Sequence, residues 1–342
     1  VSWALRYDPA LRDTDTVVRH AAAGGHEKVL RWARLNSLLW SIKACNQAAL
    51  HGHLECLQWL RAQHPPCPWG VSTCTSAIRG GSLEILRYLR SCDPPCPWDE
   101  STLRIAAYYG REDIVRWLVS QSPPCPWGPA VAYYAAWKGS LRMLHDLLGS
   151  SPTCPSSPLT LVGAVQSDEN CIQKVQWLLS LSPPCPWDAA ACSTAVILCK
   201  RDVLVYLRRL QPPCPWNEDS CNAAAANGDL EMLSWLRSQH PPCPWSNLTC
   251  VAAVASGSIE TLRWLRGGGG EICPWRSNSC AMAARIGNIN MLQELREGDV
   301  DSRCPWDESV CRAAMEQGTA EALAALRWLR TQHPPCPWDM KT

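Results

Sequence analysis

Pro94-Pro95-Cys96-Pro97-Trp98 is the stretch of sequence that decides the fold, because complete or altered copies of it recur along the chain. Its Cys-Pro pair begins at Cys67, Cys96, Cys125, Cys154, Cys185, Cys214, Cys243, Cys273, Cys304 and Cys336. Successive pairs are 29 residues apart from Cys67 to Cys154 and 29 to 32 residues apart afterwards. A fixed period of this length predicts a solenoid, whose units bury their apolar faces by stacking on one another.

Composition excludes several classes of partner. The chain of 342 residues carries 32 Lys and Arg against 31 Asp and Glu, which removes the usual electrostatic basis for binding nucleic acid or an anionic membrane. No apolar run approaches the roughly 18 residues of a membrane span, and no signal segment opens the chain. We therefore expect an intracellular, reducing compartment. The cytoplasm is favoured, with an organelle as the alternative if a targeting peptide preceded Val1.

The 21 cysteines are mostly periodic. Ten belong to the Cys-Pro pairs, and seven more occupy one repeated helix position: Cys45, Cys74, Cys192, Cys221, Cys250, Cys280 and Cys311. Periodic cysteine at small apolar positions predicts core filler in a reducing compartment. A unit offers two thiols at most, such as Cys67 and Cys74, whereas zinc takes four ligands. We expect no metal and no cofactor, and we expect no disulfide within a unit.

The unit between Trp69 and Trp98 predicts two helices. The first runs from about Val71 to Arg79 and ends at Gly81, where a left-handed cap favours glycine. Ser82 then caps a second helix, which the prolines before Cys96 terminate. The residue after the Trp is often a capping type, which predicts that the next helix begins there: Asp99, Asp188, Asn217, Ser246 and Asp307.

Extended along the chain, this pattern predicts about eleven helix pairs. Each first helix is expected to end at a residue of one class: Gly25, Gly52, Gly81, Gly110, Gly139, Gly228, Gly257, Gly287 and Gly318, with Asn170 and Cys199 as substitutes. Alanine pairs precede several of these positions: Ala48-Ala49, Ala106-Ala107, Ala135-Ala136 and Ala224-Ala225. A large aromatic side chain follows seven residues later in most units: Trp32, Trp59, Tyr88, Trp117, Trp177, Tyr206, Trp235 and Trp264. We interpret these rings as core that packs against the alanines.

At this level of detail the chain resembles a known family. Ala48-Ala49, followed by His51-Gly52-His53-Leu54-Glu55-Cys56-Leu57 and Trp59-Leu60, is similar to the core of an ankyrin repeat. The Gly-x-Leu-Glu element recurs at Gly81 and Gly228. The Cys-Pro-Trp form resembles divergent ankyrin arrays of algae, other protists and large viruses. The period of 29 is shorter than the usual 33 or so, and the missing residues fall in the β-hairpin.

The resemblance implies an all-α, ankyrin-like helix-turn-helix solenoid with shortened or absent β-hairpins. Residues 13–342 form a single array in this prediction, with an irregular unit at about 154–182, where Ser156 replaces the Trp. Residues 1–12 are predicted to be a capping or remnant helix. Gly267 to Gly270 loosen one loop, and an Ala-rich insertion near Ala320 lengthens the last helix.

The sequence contains no arrangement that indicates catalysis, since no nucleophile motif, phosphate-binding loop or acid and base pair is present. We therefore predict a scaffold that binds a protein partner and is not an enzyme. The alternative is a permanent structural subunit of a large assembly, such as an organellar ribosome or a membrane complex. A pull-down identifies the partner in the first case, and co-purification at fixed stoichiometry indicates the second.

The resemblance also implies where a partner binds, because ankyrin repeats use the concave side and the two residues before the helix-ending glycine. These positions hold Leu50-His51, Arg79-Gly80, Tyr108-Tyr109, Trp137-Lys138, Ile197-Leu198, Ala226-Asn227 and Arg285-Ile286. Aromatic and Arg side chains are enriched in binding hot spots. The predicted protein-binding residues are Arg79, Tyr108, Tyr109, Tyr133, Trp137 and Lys138. Tyr133 and its neighbour Tyr134 either extend this surface or pack inside it.

Overall fold

The structure is a computed structural model, and it describes residues 14–149, 157–267, 272–297 and 303–338. Within these ranges it contains 22 α-helices in eleven pairs and no strand. The prediction of an all-α array of repeated helix pairs without β-hairpins is thereby confirmed. Three predicted features lie outside the described residues: the helix at 1–12, the Cys154-Pro155 pair and most of the loop at 267–270.

The chain divides into two compact units, Val1–Pro186 and Trp187–Thr342. The described part of the first unit contains α1 (Thr14–Ala23), α2 (Glu27–Leu35), α3 (Ile42–Leu50), α4 (Leu54–Arg61), α5 (Val71–Gly80), α6 (Leu83–Ser91), α7 (Glu100–Tyr108), α8 (Glu112–Val119), α9 (Pro129–Lys138), α10 (Leu141–Leu148), α11 (Pro158–Gln166) and α12 (Cys171–Ser180). Odd-numbered helices come first in each pair, and successive odd-numbered helices pack side by side.

The described part of the second unit repeats the same design. It contains α13 (Ala189–Ile197), α14 (Arg201–Arg209), α15 (Glu218–Ala226), α16 (Leu230–Ser238), α17 (Asn247–Ser256), α18 (Ile259–Gly267), α19 (Ser277–Arg285), α20 (Ile289–Arg296), α21 (Glu308–Gln317) and α22 (Ala320–Thr331). The last helix has 12 residues, which confirms the lengthening predicted from the Ala-rich insertion.

Helix ends follow the sequence signals closely. All five residues predicted to cap first helices do so, since the side chains of Asp99, Asp188, Asn217, Ser246 and Asp307 each accept a backbone N–H two residues ahead. Eight of the nine predicted glycines are left-handed, as are Asn170 and Cys199. Gly139 is the exception, because its φ of −84° and ψ of 167° are extended.

The core consists of small and branched side chains. The alanine pairs, the helix cysteines and the described Cys-Pro cysteines are all buried, which confirms their interpretation as core. The repeated aromatic rings differ from the prediction, because Trp59, Trp117, Trp235 and Trp264 are only half-buried. Each meets the Trp that precedes its own helix pair in an edge-to-face contact, with ring centroids 5.9 to 6.4 Å apart. These rings therefore form a layer between the core and the surface.

The Cys-Pro-Trp loop closes each helix pair through a set of contacts that we call the clamp. In the pair α5–α6, the Cys96 N–H donates to the Leu89 carbonyl, and the Cys96 thiol donates to the Gly70 carbonyl at the start of the pair. Arg90 donates to the Cys96 carbonyl at 2.6 Å, and its guanidinium lies 3.8 Å from the Trp98 ring centroid. The loop Trp thus packs beneath a cation.

Of the nine helix pairs whose Cys-Pro loop the structure describes, seven have this arginine and two do not. It is present before Trp69, Trp98, Trp216, Trp245, Trp275, Trp306 and Trp338. Val119 and Leu179 occupy its position before Cys125 and Cys185. Burial raises the pKa of Cys125 to about 12 and that of Cys185 to about 11. This arginine was not among the residues predicted from the sequence. A signal was present, because it stands six to eight residues before each of these loop cysteines.

Candidate protein-binding surface

Five rings from two neighbouring first helices form one aromatic cluster: Tyr108 and Tyr109 at the end of α7, and Tyr133, Tyr134 and Trp137 on α9. Tyr108 is central. Its ring centroid lies 5.1 Å from that of Tyr109, 5.3 Å from that of Tyr134 and 6.4 Å from that of Trp137, each in edge-to-face geometry. Edge-to-face pairs contribute stabilising free energy beyond that of the apolar area they bury, and they hold the rings in a fixed arrangement.

The outer part of the cluster faces solvent. Tyr108 is 42% exposed and Tyr109 is 44% exposed, whereas Tyr133, Tyr134 and Trp137 are half-buried. Lys138 is exposed, and its Nζ lies 4.3 Å from the Trp137 ring centroid. The result is a contiguous aromatic surface with a cation at its edge, which is the composition typical of interface centres.

Close packing of α11 against α9 fixes the inner part of the cluster. Gly163 of α11 allows this approach, because a Cβ there would lie 2.4 Å from the Tyr133 carbonyl oxygen. The approach brings Gln166 to Tyr133, whose hydroxyl donates to the Gln166 Oε1 at 2.7 Å. Tyr133 is therefore half-buried and is held in place by the packing of α11 against α9.

Lys174 of α12 donates hydrogen bonds to carbonyl groups at the end of α9. Its side chain is 2% exposed, and its Nζ donates to the carbonyls of Ala136 and Gly139 and to the Ser167 hydroxyl, at 3.1, 2.6 and 2.6 Å. In the pair α5–α6, by contrast, the N–H groups of Gly81 and Ser82 bond the last carbonyls of the first helix. The ammonium group replaces that left-handed cap, which explains the extended conformation of Gly139.

Lys174 was not among the residues predicted from the sequence to matter for the site. A signal was available, because the equivalent position holds apolar side chains such as Ile85, Ile114 and Met143 in other pairs. Lysine is almost never fully buried without partners. A shallow cleft of about 300 Å³ opens beside it, and its lining includes Glu112, Trp137, Lys138 and Ser140. The cluster and the cleft share Trp137.

The structure brings five of the six predicted binding residues together. Tyr108, Tyr109, Tyr133, Trp137 and Lys138 belong to the cluster and its edge. Arg79 lies one helix pair earlier and is exposed, and its carbonyl accepts from the Arg111 guanidinium at 3.2 Å. Within residues 14–149, the Arg79 side chain takes part in none of the ring contacts described above.

Across the part of the chain that the structure describes, no three His, Cys, Asp or Glu side chains are grouped so that they could hold a metal ion. In the same residues, no helix is both long enough and apolar enough to cross a membrane.

Comparison with known proteins supports the assignment of the repeats. The family described as ankyrin repeats (3 copies) matches residues 45–126. No curated protein matches the chain.

Among solved structures, the chain is similar to the pentatricopeptide repeat protein PPR10 in complex with an 18-nt psaJ RNA element, and to a cysteine-to-serine variant of that protein in a complex of the same kind. Each is 13% identical, with a TM-score of 0.46. The alignment covers 93% of this chain and 53% of each of those proteins, so the chain spans about half of their length. The family match and the repeated helix pairs together show ankyrin repeats at residues 45–126, which include most of α3 and all of α4 to α8.

Proposed function

We propose that the chain is a non-catalytic scaffold whose partner is another protein, and that the partner binds the aromatic cluster and Lys138. One observation carries this proposal. Two neighbouring first helices place Tyr108, Tyr109 and Trp137 in one contiguous surface, and no other helix pair has a tyrosine or tryptophan at these register positions. Contiguous exposed aromatic surface of this kind is typical of interaction sites.

The cluster is also preorganised for binding. Tyr108 is held by three edge-to-face contacts, Tyr133 by its hydrogen bond to Gln166, and α9 by the Lys174 ammonium. Side chains that are already ordered lose little rotamer freedom when a partner docks, and each such side chain otherwise costs about 0.5 to 1.5 kcal/mol on binding. A rigid surface of large rings therefore favours affinity. Arg79 extends the proposed contact toward the preceding helix pair.

The test is capture of a partner, its identification by mass spectrometry, and a repeat of the capture with purified components. The variant Tyr108→Ala/Tyr109→Ala/Trp137→Ala should lose the partner while its helical circular dichroism stays unchanged. Ile197→Ala/Leu198→Ala is the matched control, because these side chains occupy the same register in the second unit and are 56% and 42% exposed. The control should keep the partner.

Two results would contradict the proposal. Equal capture by the triple variant and the wild type moves the binding surface away from the aromatic cluster. Co-purification of several proteins at fixed stoichiometry, unaffected by the triple variant, favours the permanent structural subunit instead.

A further inference from the structure

The buried cysteines are arranged as dithiol pairs, which the sequence period alone did not show. The first-helix Cys45 lies against Cys67, the cysteine that closes the same helix pair and whose own thiol donates to the Ser41 carbonyl at 3.4 Å. The Cys45 thiol also lies 3.9 Å from the Cys67 carbonyl oxygen. The sequence had grouped Cys67 with Cys74 of the following pair. The structure instead pairs each helix cysteine with the Cys-Pro loop that follows it.

Of the nine helix pairs whose Cys-Pro loop the structure describes, seven contain such a dithiol. In five of them the sulfur of the helix cysteine lies 3.7 to 3.9 Å from the carbonyl oxygen of the loop cysteine: Cys45 with Cys67, Cys192 with Cys214, Cys221 with Cys243, Cys250 with Cys273, and Cys280 with Cys304. Cys74 with Cys96 and Cys311 with Cys336 occupy the same two positions of their helix pairs. All fourteen side chains are buried, and none is in a disulfide. Leu103 and Leu161 occupy the helix position in the pairs closed by Cys125 and Cys185, so those two cysteines have no thiol partner there.

The dithiols and the clamp arginines occur together. Each dithiol is accompanied by an arginine, six to eight residues before the loop cysteine, that donates to the carbonyl of that cysteine at 2.5 to 3.0 Å. Cys125 and Cys185, which lack the second thiol, also lack the arginine and have Val119 and Leu179 in its place. Packing of the Trp ring alone does not explain this association, because Trp127 and Trp187 remain in those two loops. Two sulfurs and one fixed positive charge form a single recurring group.

We propose that each dithiol and its arginine form a site for one soft, two-coordinate metal ion of the Cu(I) class. Thiolate sulfur is the ligand that selects Cu(I), and two sulfurs complete a two-coordinate site, whereas zinc takes four ligands. Binding replaces both S–H protons: one Cu(I) ion and two thiols give a bis-thiolate complex and two released protons, with no change of oxidation state.

Charge balance assigns a role to the arginine. Two thiolates and one monovalent cation leave a single negative charge inside the core, and an uncompensated charge there is costly. The guanidinium beside the loop cysteine supplies the opposite charge, so the metal-bound site is neutral overall. A divalent ion in the same site would leave a net positive charge. The group therefore favours a monovalent ion.

The probe is Cu(I) alone, added to the reduced chain without oxygen and in the presence of glutathione as a competing monothiol. Native mass spectrometry counts the ions that remain bound. The wild type should retain seven ions, one for each dithiol. Cys74→Ala should retain one fewer, and alanine is tolerated at this register because Ala132 is buried there in α9. Cys125→Ala is the matched control and should retain the full number.

A gain of binding makes the test independent of losses that misfolding could cause. Leu103→Cys/Val119→Arg supplies Cys125 with the missing thiol and the missing guanidinium, and it should retain one ion more than the wild type. Leu103→Cys alone should hold that extra ion more weakly against glutathione. Retention of no Cu(I) by the wild type, loss of an ion in Cys125→Ala, or no gain in the double variant would each overturn the proposal.

Discussion

Two stretches of the first unit differ in how they hold their loops. In α3–α6 the loops carry complete clamps, with Arg61 over Trp69 and Arg90 over Trp98, both at 3.8 Å. In α7–α12 the arginine is replaced by Val119 and Leu179. That second stretch also contains the aromatic cluster and Lys174. The repeat therefore departs from its regular form in the helix pairs that carry the proposed binding surface. In that stretch the end of α9 is held by hydrogen bonds from Lys174.

The largest effect is expected where the second stretch depends on one side chain. Lys174→Met should lower the free energy of unfolding by about 3 kcal/mol, because it leaves the Ala136 and Gly139 carbonyls without their buried donor. Lys138→Met is the control, because its exposed ammonium contributes less than about 0.5 kcal/mol to stability. Urea denaturation measures both. Equal midpoints for the two variants would mean that Lys174 does not hold α9.

A smaller loss is expected from breaking one clamp in the regular stretch. Arg90→Ala removes the charged hydrogen bond to the Cys96 carbonyl and the cation over Trp98, which together contribute about 2 kcal/mol. Arg87→Ala lies on the same helix at an exposed position and should change little. Thermal unfolding of both variants distinguishes a clamp from a surface charge. A lower melting temperature for Arg87→Ala than for Arg90→Ala would contradict the clamp.

The two loop cysteines of the second stretch that have no thiol partner also predict a pH effect. Burial raises the folded-state pKa of Cys125 to about 12 and of Cys185 to about 11, above the value of about 8.5 for an unfolded thiol. The unfolded chain then loses these protons first. The stabilisation is complete below about pH 8.5, and it is lost as pH rises toward the folded-state values, by about 1 kcal/mol per pH unit for each thiol. Denaturation from pH 8 to 10 measures this slope.

The matched variant for that slope is Cys125→Ala/Cys185→Ala. Its stability should fall less steeply with pH than that of the wild type, because two raised thiol pKa values have been removed. Identical slopes would mean that these two thiols titrate alike in the folded and unfolded chains.

The smallest effect is a gain. Val119→Arg restores the clamp residue next to Trp127 and should raise the free energy of unfolding by about 0.5 to 1 kcal/mol. Val119→Lys is the control, because lysine supplies a cation without the planar guanidinium that stacks on a ring. No gain from arginine, or an equal gain from lysine, would show that the clamp does not depend on stacking.

Much of the fold could be predicted from the sequence because its signals are local. Capping side chains such as Asp99, glycines such as Gly81 and the prolines after α6 each act within one turn of a helix. Gly139 shows the limit of such signals. Its conformation depends on Lys174, which is 35 residues away in sequence, and no local pattern encodes that contact.

Part of the candidate site could also be predicted, because position within the repeat is a local signal. Register placed Tyr108, Tyr109 and Trp137 on adjacent helices, and their contact follows from side-by-side packing. The role of Tyr133 could not be predicted, because it depends on Gly163 and Gln166 of another helix pair. The arginines over the loop tryptophans are a local signal, only six to eight residues before the loop cysteine, and they were overlooked. Period and composition do not determine which of two half-buried rings turns toward solvent.

The most direct test of the account is the dissociation constant of the identified partner, measured by isothermal titration with the wild type, Tyr108→Ala/Tyr109→Ala/Trp137→Ala and Ile197→Ala/Leu198→Ala. Loss of the exposed rings should remove about 2 kcal/mol or more and weaken binding by about 30-fold or more. The control should bind as the wild type does. Wild-type affinity in the triple variant, or equal weakening in both variants, would contradict the claim that the aromatic cluster binds the partner.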